Sequence, residues 1–136
     1  MAAKKNTGKF DSIEAVLRDI ARGKMVVVVD DADRENEGDL VMASELITPD
    51  AVNFMAKEAR GLICVSLAER RALELNLHPM ERRNTSLHET DFTVSVDAVN
   101  NTTTGTSAFD RFETIRTLIS PDSNAEDLAR PGHVFP

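Results

Sequence analysis

Residues Val26 to Leu40 read VVVVDDADRENEGDL: four valines, then six acidic side chains within the ten positions Asp30 to Asp39. A run of β-branched residues bounded by polar segments predicts a fully buried strand over Met25–Val29. Carboxylates crowded where such a strand leaves the core repel one another unless they splay into water or share a cation. Asp31, Asp33, Glu35, Glu37 and Asp39 recur at every second position, so a strand continued through them aims all five from one face. Both a solvated loop and a cation loop fit this pattern. The position favours the second, because open sheets place ligand sites at the carboxyl ends of strands. Arg34, set among the acids, adds a clamp for an anionic substrate. Oxygen-only ligands select a hard cation such as Mg²⁺ or Mn²⁺. An EF-hand register fails: counting from Asp33 puts Gly38 at the sixth position but Ser44 at the twelfth, where a bidentate Glu is needed, and a strand precedes the loop instead of a helix.

Composition narrows the class of function. The 136 residues make one domain by length and carry a net charge of −7, leaving no basic excess for nucleic acid or an anionic membrane. There is no Trp or Tyr to form a base-stacking platform. No apolar run approaches the roughly 20 residues of a membrane-spanning helix, and the N-terminus lacks the apolar core of a secretory signal. Cys64 is the only cysteine, which rules out an intrachain disulfide framework and a Cys-rich zinc site. A cytoplasmic location is expected.

Residues 1–10 are polar and aperiodic and are expected to form a flexible arm ahead of a single domain, 11–136. Ile13, Val16, Leu17 and Ile20 share one helical face, with Asp11 or Ser12 as cap and Gly23 as stop. Leu40–Ser44 reads as a strand. Thr48-Pro49 opens a helix that ends at Gly61. Leu62–Val65 reads as a second buried strand, and Ser66 with Glu69 as a capping box for a helix through Leu75. Residues 76–90 are irregular. Phe92, Val94 and Val96 alternate with Thr93, Ser95 and Asp97 as in a half-buried strand. A helix spans Ser107 to Ile119, and Ser123 with Glu126 caps a short one after it. This mixture without strict alternation predicts an α+β fold, a layered α/β/α-type domain with a mixed sheet flanked by helices.

Three further places carry chemistry-bearing residues. NNTTTGTSAFDR sets Thr103, Thr104, Thr106 and Ser107 at a helix start, suited to a phosphate or to ordinary capping. Cys64 lies in an apolar strand, as a structural thiol or a substrate contact. His133, in RPGHVFP, is either a packed histidine or a general acid/base.

DDADRENEGDL, RGLICVSL, NNTTTGTSAFDR and RPGHVFP, in this order and spacing, resemble 3,4-dihydroxy-2-butanone 4-phosphate synthase over nearly all the chain beyond the arm. The resemblance implies a lyase of riboflavin biosynthesis that uses Mg²⁺ or Mn²⁺. It implies conversion of the sugar phosphate D-ribulose 5-phosphate to L-3,4-dihydroxy-2-butanone 4-phosphate and formate. It further implies that Glu35 is a metal ligand and that Arg34, Glu35, Asp39, Cys64 and Thr104 meet the substrate. Glu37, Asp39 and His133 are the implied catalytic groups, and the implied assembly is a homodimer with its active site at the interface. Family members continue after GHVFP into an Arg-Gly-Gly-His-Thr-type motif and, further on, an essential glutamate. That motif's histidine is the second metal ligand, and its Arg and Thr help hold the substrate phosphate. Neither feature stands in this sequence, so the resemblance casts the chain as the N-terminal part of a site, either a fragment or a catalytically inactive binding or dimerisation domain. A pentose-phosphate isomerase or epimerase is the more distant enzyme alternative.

Overall fold

The computed structural model describes residues 10–31, 33–88 and 90–136. The expected arm lies outside them except for Phe10. The chain divides into two compact units, Met1–Leu46 and Ile47–Pro136.

In the first unit, helix α1 spans Ile13–Ala21, and the Ser12 hydroxyl caps it by accepting from the Ala15 amide at 3.3 Å. Gly23 leaves it with φ +76°, a conformation suited to glycine, and packs beside Leu46. Strand β1, Val26–Val29, pairs antiparallel with β2, Gly38–Val41, in the register Val26↔Val41 to Val29↔Gly38. The acidic segment, expected as a loop, connects these strands as the loop of a β-hairpin. Two other expectations change here. The strand expected over Leu40–Ser44 begins earlier, at Gly38, and stops at Val41, ahead of a 3-10 turn at Ser44–Leu46. Nor is β1 fully buried: Val27 is 67% exposed, and Val28 and Val29 nearly half. Among the described residues this pairing stops at two strands, and a two-stranded ribbon covers little of its own surface.

The second unit holds the core. Val52, Leu75, Val96, Leu118 and Val134 are wholly buried, with Ile63, Val65, Ile115 and Leu128 around them. Helix α2, Pro49–Phe54, starts as its sequence predicts, with Pro49 in the first turn and the Thr48 hydroxyl accepting from Ala51 N at 3.1 Å. It widens into a π turn over Met55–Ala59, and Arg60 at φ +60° ends it, one residue before Gly61.

Ile63 and Val65 point inward while Leu62 and Cys64 are exposed, so Leu62–Val65 is half-buried rather than a buried strand. Its backbone meets Phe135 in a parallel bridge, with Val65 N donating to Phe135 O and Phe135 N to Ile63 O. Helix α3 spans Glu69–Glu74 with Ala68 at its N-cap and no side-chain cap. The helix starts two residues later than a Ser66 cap requires, which puts Glu69 in the first helical position rather than the third, and the expected box does not form.

Strand β3, Val96–Ala98, pairs antiparallel with β4, Leu128–Val134, across a register shift between Val96 and Asp97. Between them in sequence, α4 runs from Ala108 to Ile119 behind a Ser107 cap and packs on α2 and on this sheet. The capping box that follows is displaced by one residue: Asn124 accepts from Glu126 N, and Asp127 accepts from Asn124 N. Ser123 is engaged elsewhere, by Arg71. The α+β class holds. Among the described residues the sheet component consists of two small antiparallel pairs, the parallel bridge and an antiparallel bridge between Pro79 and Thr93.

Arg71 closes the carboxyl end of α4. Its guanidinium donates to the carbonyls of Leu118, Ser120 and Ser123 and to the Ser123 hydroxyl. Only 18% of the side chain is exposed. Removing it leaves several part-buried carbonyls without their donor, so Arg71→Met is expected to cost about 2–3 kcal/mol in a urea unfolding titration. A loss below roughly 0.5 kcal/mol would mean that water replaces the guanidinium.

Candidate active site

Of the six carboxylates in the hairpin, one organises the turn and the other five are exposed to solvent. Asp30 Oδ2 accepts from Glu35 N at 3.0 Å and Arg34 Nη1 at 3.1 Å, while Oδ1 accepts from Glu37 N at 3.1 Å. The Glu35 amide chiefly, and then the Glu37 amide and Arg34, hold the Asp30 carboxyl below its usual value against the opposing effect of desolvation. Asn36, at φ +54°, lets the chain reverse. Arg34 Nη2 also lies 3.5 Å from Glu35 Oε1. Asp31, Asp33, Glu35, Glu37 and Asp39 are all exposed and splay around the turn; Asp39 lies in β2 opposite Val28. The hairpin thus gathers Arg34, Glu35, Glu37 and Asp39 on one short excursion, as their sequence positions lead one to expect. Its donors are oxygens, the type a hard divalent cation takes. Among the described residues no group of three or more His, Cys, Asp or Glu side chains is arranged to hold a metal ion. The hairpin fits such an ion as a contributor of ligands rather than as a complete cage.

The second unit contains a different constellation, centred on His133. Its backbone N–H donates to Asp97 Oδ1 at 2.8 Å, and its ring Nδ1 lies 2.8 Å from Asp97 Oδ2. The shift of register between Val96 and Asp97 and the bond from Gly132 N to Ser95 Oγ bring β4 across β3 at this point. Asp97 is 14% exposed at its side chain and His133 47%, so a sheltered carboxylate holds an accessible imidazole. With its Nδ1–H donated to Asp97, the ring presents Nε2 as the nitrogen able to take or give a proton. Thr106 Oγ1 lies 3.4 Å from that Nε2.

Gly105, at φ +82°, abuts the pair. A methyl group there would strike the Asp97 carboxylate and come within 2.7 Å of His133 Nδ1. Thr104 is exposed on the same turn. Cys64 is exposed too, opposite Phe135 and hence two residues along the chain from His133, which corrects its placement inside a buried strand. Asp97, which holds the His133 ring and backbone, is the candidate site residue that sequence reasoning missed. Its one available signal was its place on the polar face of the alternating segment Phe92–Asp97.

Fold and side-chain arrangement together define an α+β protein with an oxygen-donor hairpin and a carboxylate-held imidazole. The chain belongs to the 3,4-dihydroxy-2-butanone 4-phosphate synthase family, whose profile matches residues 14–136. It is 58% identical over 130 residues to riboflavin biosynthesis protein RibBA of Aquifex aeolicus, covering 94% of this chain and 32% of that protein. It is 55% identical over 128 residues to 3,4-dihydroxy-2-butanone 4-phosphate synthase of Oceanobacillus iheyensis, covering 94% of this chain and 61% of that one. A crystal structure of 3,4-dihydroxy-2-butanone 4-phosphate synthase in complex with two magnesium ions superposes with a TM-score of 0.90 at 44% identity, over 93% of this chain and 59% of the other. The two-domain synthase RibBX from A. baumannii matches with a TM-score of 0.87 at 40% identity, over 93% of this chain and 37% of its own. The chain therefore spans from about a third to about three fifths of the length of these relatives. No helix among the described residues is long and apolar enough to cross a membrane.

Proposed function

We propose that this chain supplies part of the active site of a Mg²⁺-dependent lyase, which converts D-ribulose 5-phosphate to L-3,4-dihydroxy-2-butanone 4-phosphate and formate. The observation that carries this reading is the Asp97–His133 pair, a held general acid/base in a family whose relatives bear the synthase name. The reaction divides a five-carbon ketose phosphate into a four-carbon ketone phosphate and a one-carbon acid. It begins by removing a proton next to a carbonyl. Nε2 of His133 is suited to that proton, and to returning one when the carbon skeleton rearranges.

Arg34 faces the anionic substrate, and Glu37 and Asp39 complete the proton transfers beside it. Cys64 and Thr104 line the substrate. Glu35 would hold the divalent ion, Mg²⁺ with Mn²⁺ as the other candidate, and a bound ion there supplies Lewis-acid stabilisation of charge developing on the substrate oxygens. The working protein in this reading is a cytoplasmic homodimer with its sites at the subunit interface.

The test is formate release by the intact gene product from ribulose 5-phosphate with Mg²⁺. Glu35→Gln, which removes the charge and keeps the shape, is expected to abolish release, and chelation of the metal to do the same. Undiminished release by Glu35→Gln would remove Glu35 from the mechanism. A five-carbon product without formate would instead indicate isomerisation or epimerisation.

A further inference from the structure

We propose that Asp110 is a positioning residue for the His133 imidazole: its carboxylate fixes the Thr103–Ser107 turn, and that turn is the wall that holds the Asp97–His133 pair. The inference rests on the acid/base role proposed for His133, but it is read without turnover.

Asp110 is the third residue of α4, counting from its Ser107 cap. An acid at that place normally reaches back to the amide of the capping residue. Asp110 reaches past it. Oδ1 accepts from Thr103 N at 3.1 Å, and Oδ2 accepts from Thr103 Oγ1 at 2.9 Å and from Gly105 N at 3.1 Å. The residue is 2% exposed. Burial alone would raise its carboxyl, and this is the largest single influence. The Thr103 hydroxyl and amide, the Ser107 hydroxyl and the Gly105 amide together outweigh it and hold the group ionised. A buried carboxylate with three donors converging on it from one turn sets the path of that turn.

The turn in its fixed course touches both faces of the catalytic pair. Gly105 lies where any side chain would collide with Asp97 and with Nδ1 of His133. Thr106 places its hydroxyl 3.4 Å from Nε2, the other ring nitrogen. If the turn moves outward, the imidazole loses its backing on the Nδ1 side and its hydroxyl neighbour on the Nε2 side. Asp110 touches neither ring nitrogen, so its effect on the ring passes through Gly105 and Thr106.

Asp110→Asn replaces one accepting oxygen by a donating NH₂, which opposes at least one of the three donors. The experiment compares ring ¹⁵N and Nδ1–H signals of His133 in the wild type, Asp110→Asn and Thr103→Val, in the absence of substrate. Thr103→Val deletes a single donor and keeps the shape, so it decides the matter if Asp110→Asn does not fold. Exchange of the Nδ1 proton is expected to quicken about tenfold in Asp110→Asn and less in Thr103→Val, as local opening becomes easier. Arg71→Met, which loosens the far end of α4, is expected to lower the melting temperature and leave the His133 signals in place. Folded variants of Asp110 and Thr103 with wild-type ring signals would overturn the proposal, and so would an equal shift in Arg71→Met. Failure of the lyase reading shows separately, as absence of formate from the wild-type protein.

Discussion

His133→Ala is expected to lower the rate of formate release by about 10²–10⁴, the usual consequence of removing one positioned acid/base group. The loss should fall mainly on kcat, because in the proposed reaction the imidazole acts on the proton in transit rather than on the remote phosphate. Stability should change little, since nearly half the side chain is in solvent and its backbone N–H, not its ring, carries one of the two bonds to Asp97. Asp97→Asn should reproduce much of the kinetic loss while leaving His133 in place, because an amide NH₂ facing Nδ1 favours the wrong tautomer. Steady-state kinetics with a melting curve on each variant distinguish these effects. A His133→Ala protein with wild-type turnover would exclude the imidazole from the chemistry.

Gly132→Ala is expected to cause a large loss of stability. The new Cβ would press on the backbone of β3, against the carbonyl of Val96 and the amide nitrogen of Asp97, where nothing flexible can give way. Overpacking commonly costs about 1–3 kcal/mol, and a collision with backbone belongs at the upper end or beyond. Because Gly132 precedes His133 and its amide donates to Ser95, the strain should also pull the imidazole from Asp97. Urea denaturation measures the first effect. A loss within about 0.5 kcal/mol would show that β4 can slide past β3 at small cost.

What the sequence disclosed was local. Ser12, Thr48 and Ser107 cap the helices their positions mark, because a cap depends on a few neighbouring residues and one hydroxyl. Ser66 shows where local signals fail: Ser66 and Glu69 match a capping box, yet the helix is set two positions later. The acidic segment was legible as a loop but not as the tight reversal of a hairpin, which depends on Asp30 taking amides five and seven residues ahead and on Asn36 adopting positive φ. Apolar runs such as Val26–Val29 and Leu62–Val65 do not distinguish burial of one face from burial of both. Of the candidate site, the acidic residues, Cys64, Thr104 and His133 were legible from the sequence through the family resemblance. Asp97 was not, because its partner lies 36 residues away and nothing local separates it from any polar residue on a half-buried strand.

The exposed valines of β1 give the acidic hairpin a second consequence. A short β-branched strand without proline is the kind of segment that stacks on copies of itself whenever it is open to solvent. Flanking like charges oppose that stacking, as gatekeeper residues do beside unavoidable apolar strands. The carboxylates that crowd the loop after Val29, with Asp39 inside the partner strand, stand where such gatekeepers would. Neutralising substitutions in the hairpin are therefore expected to favour self-association, so light scattering on Glu35→Gln belongs beside its formate assay.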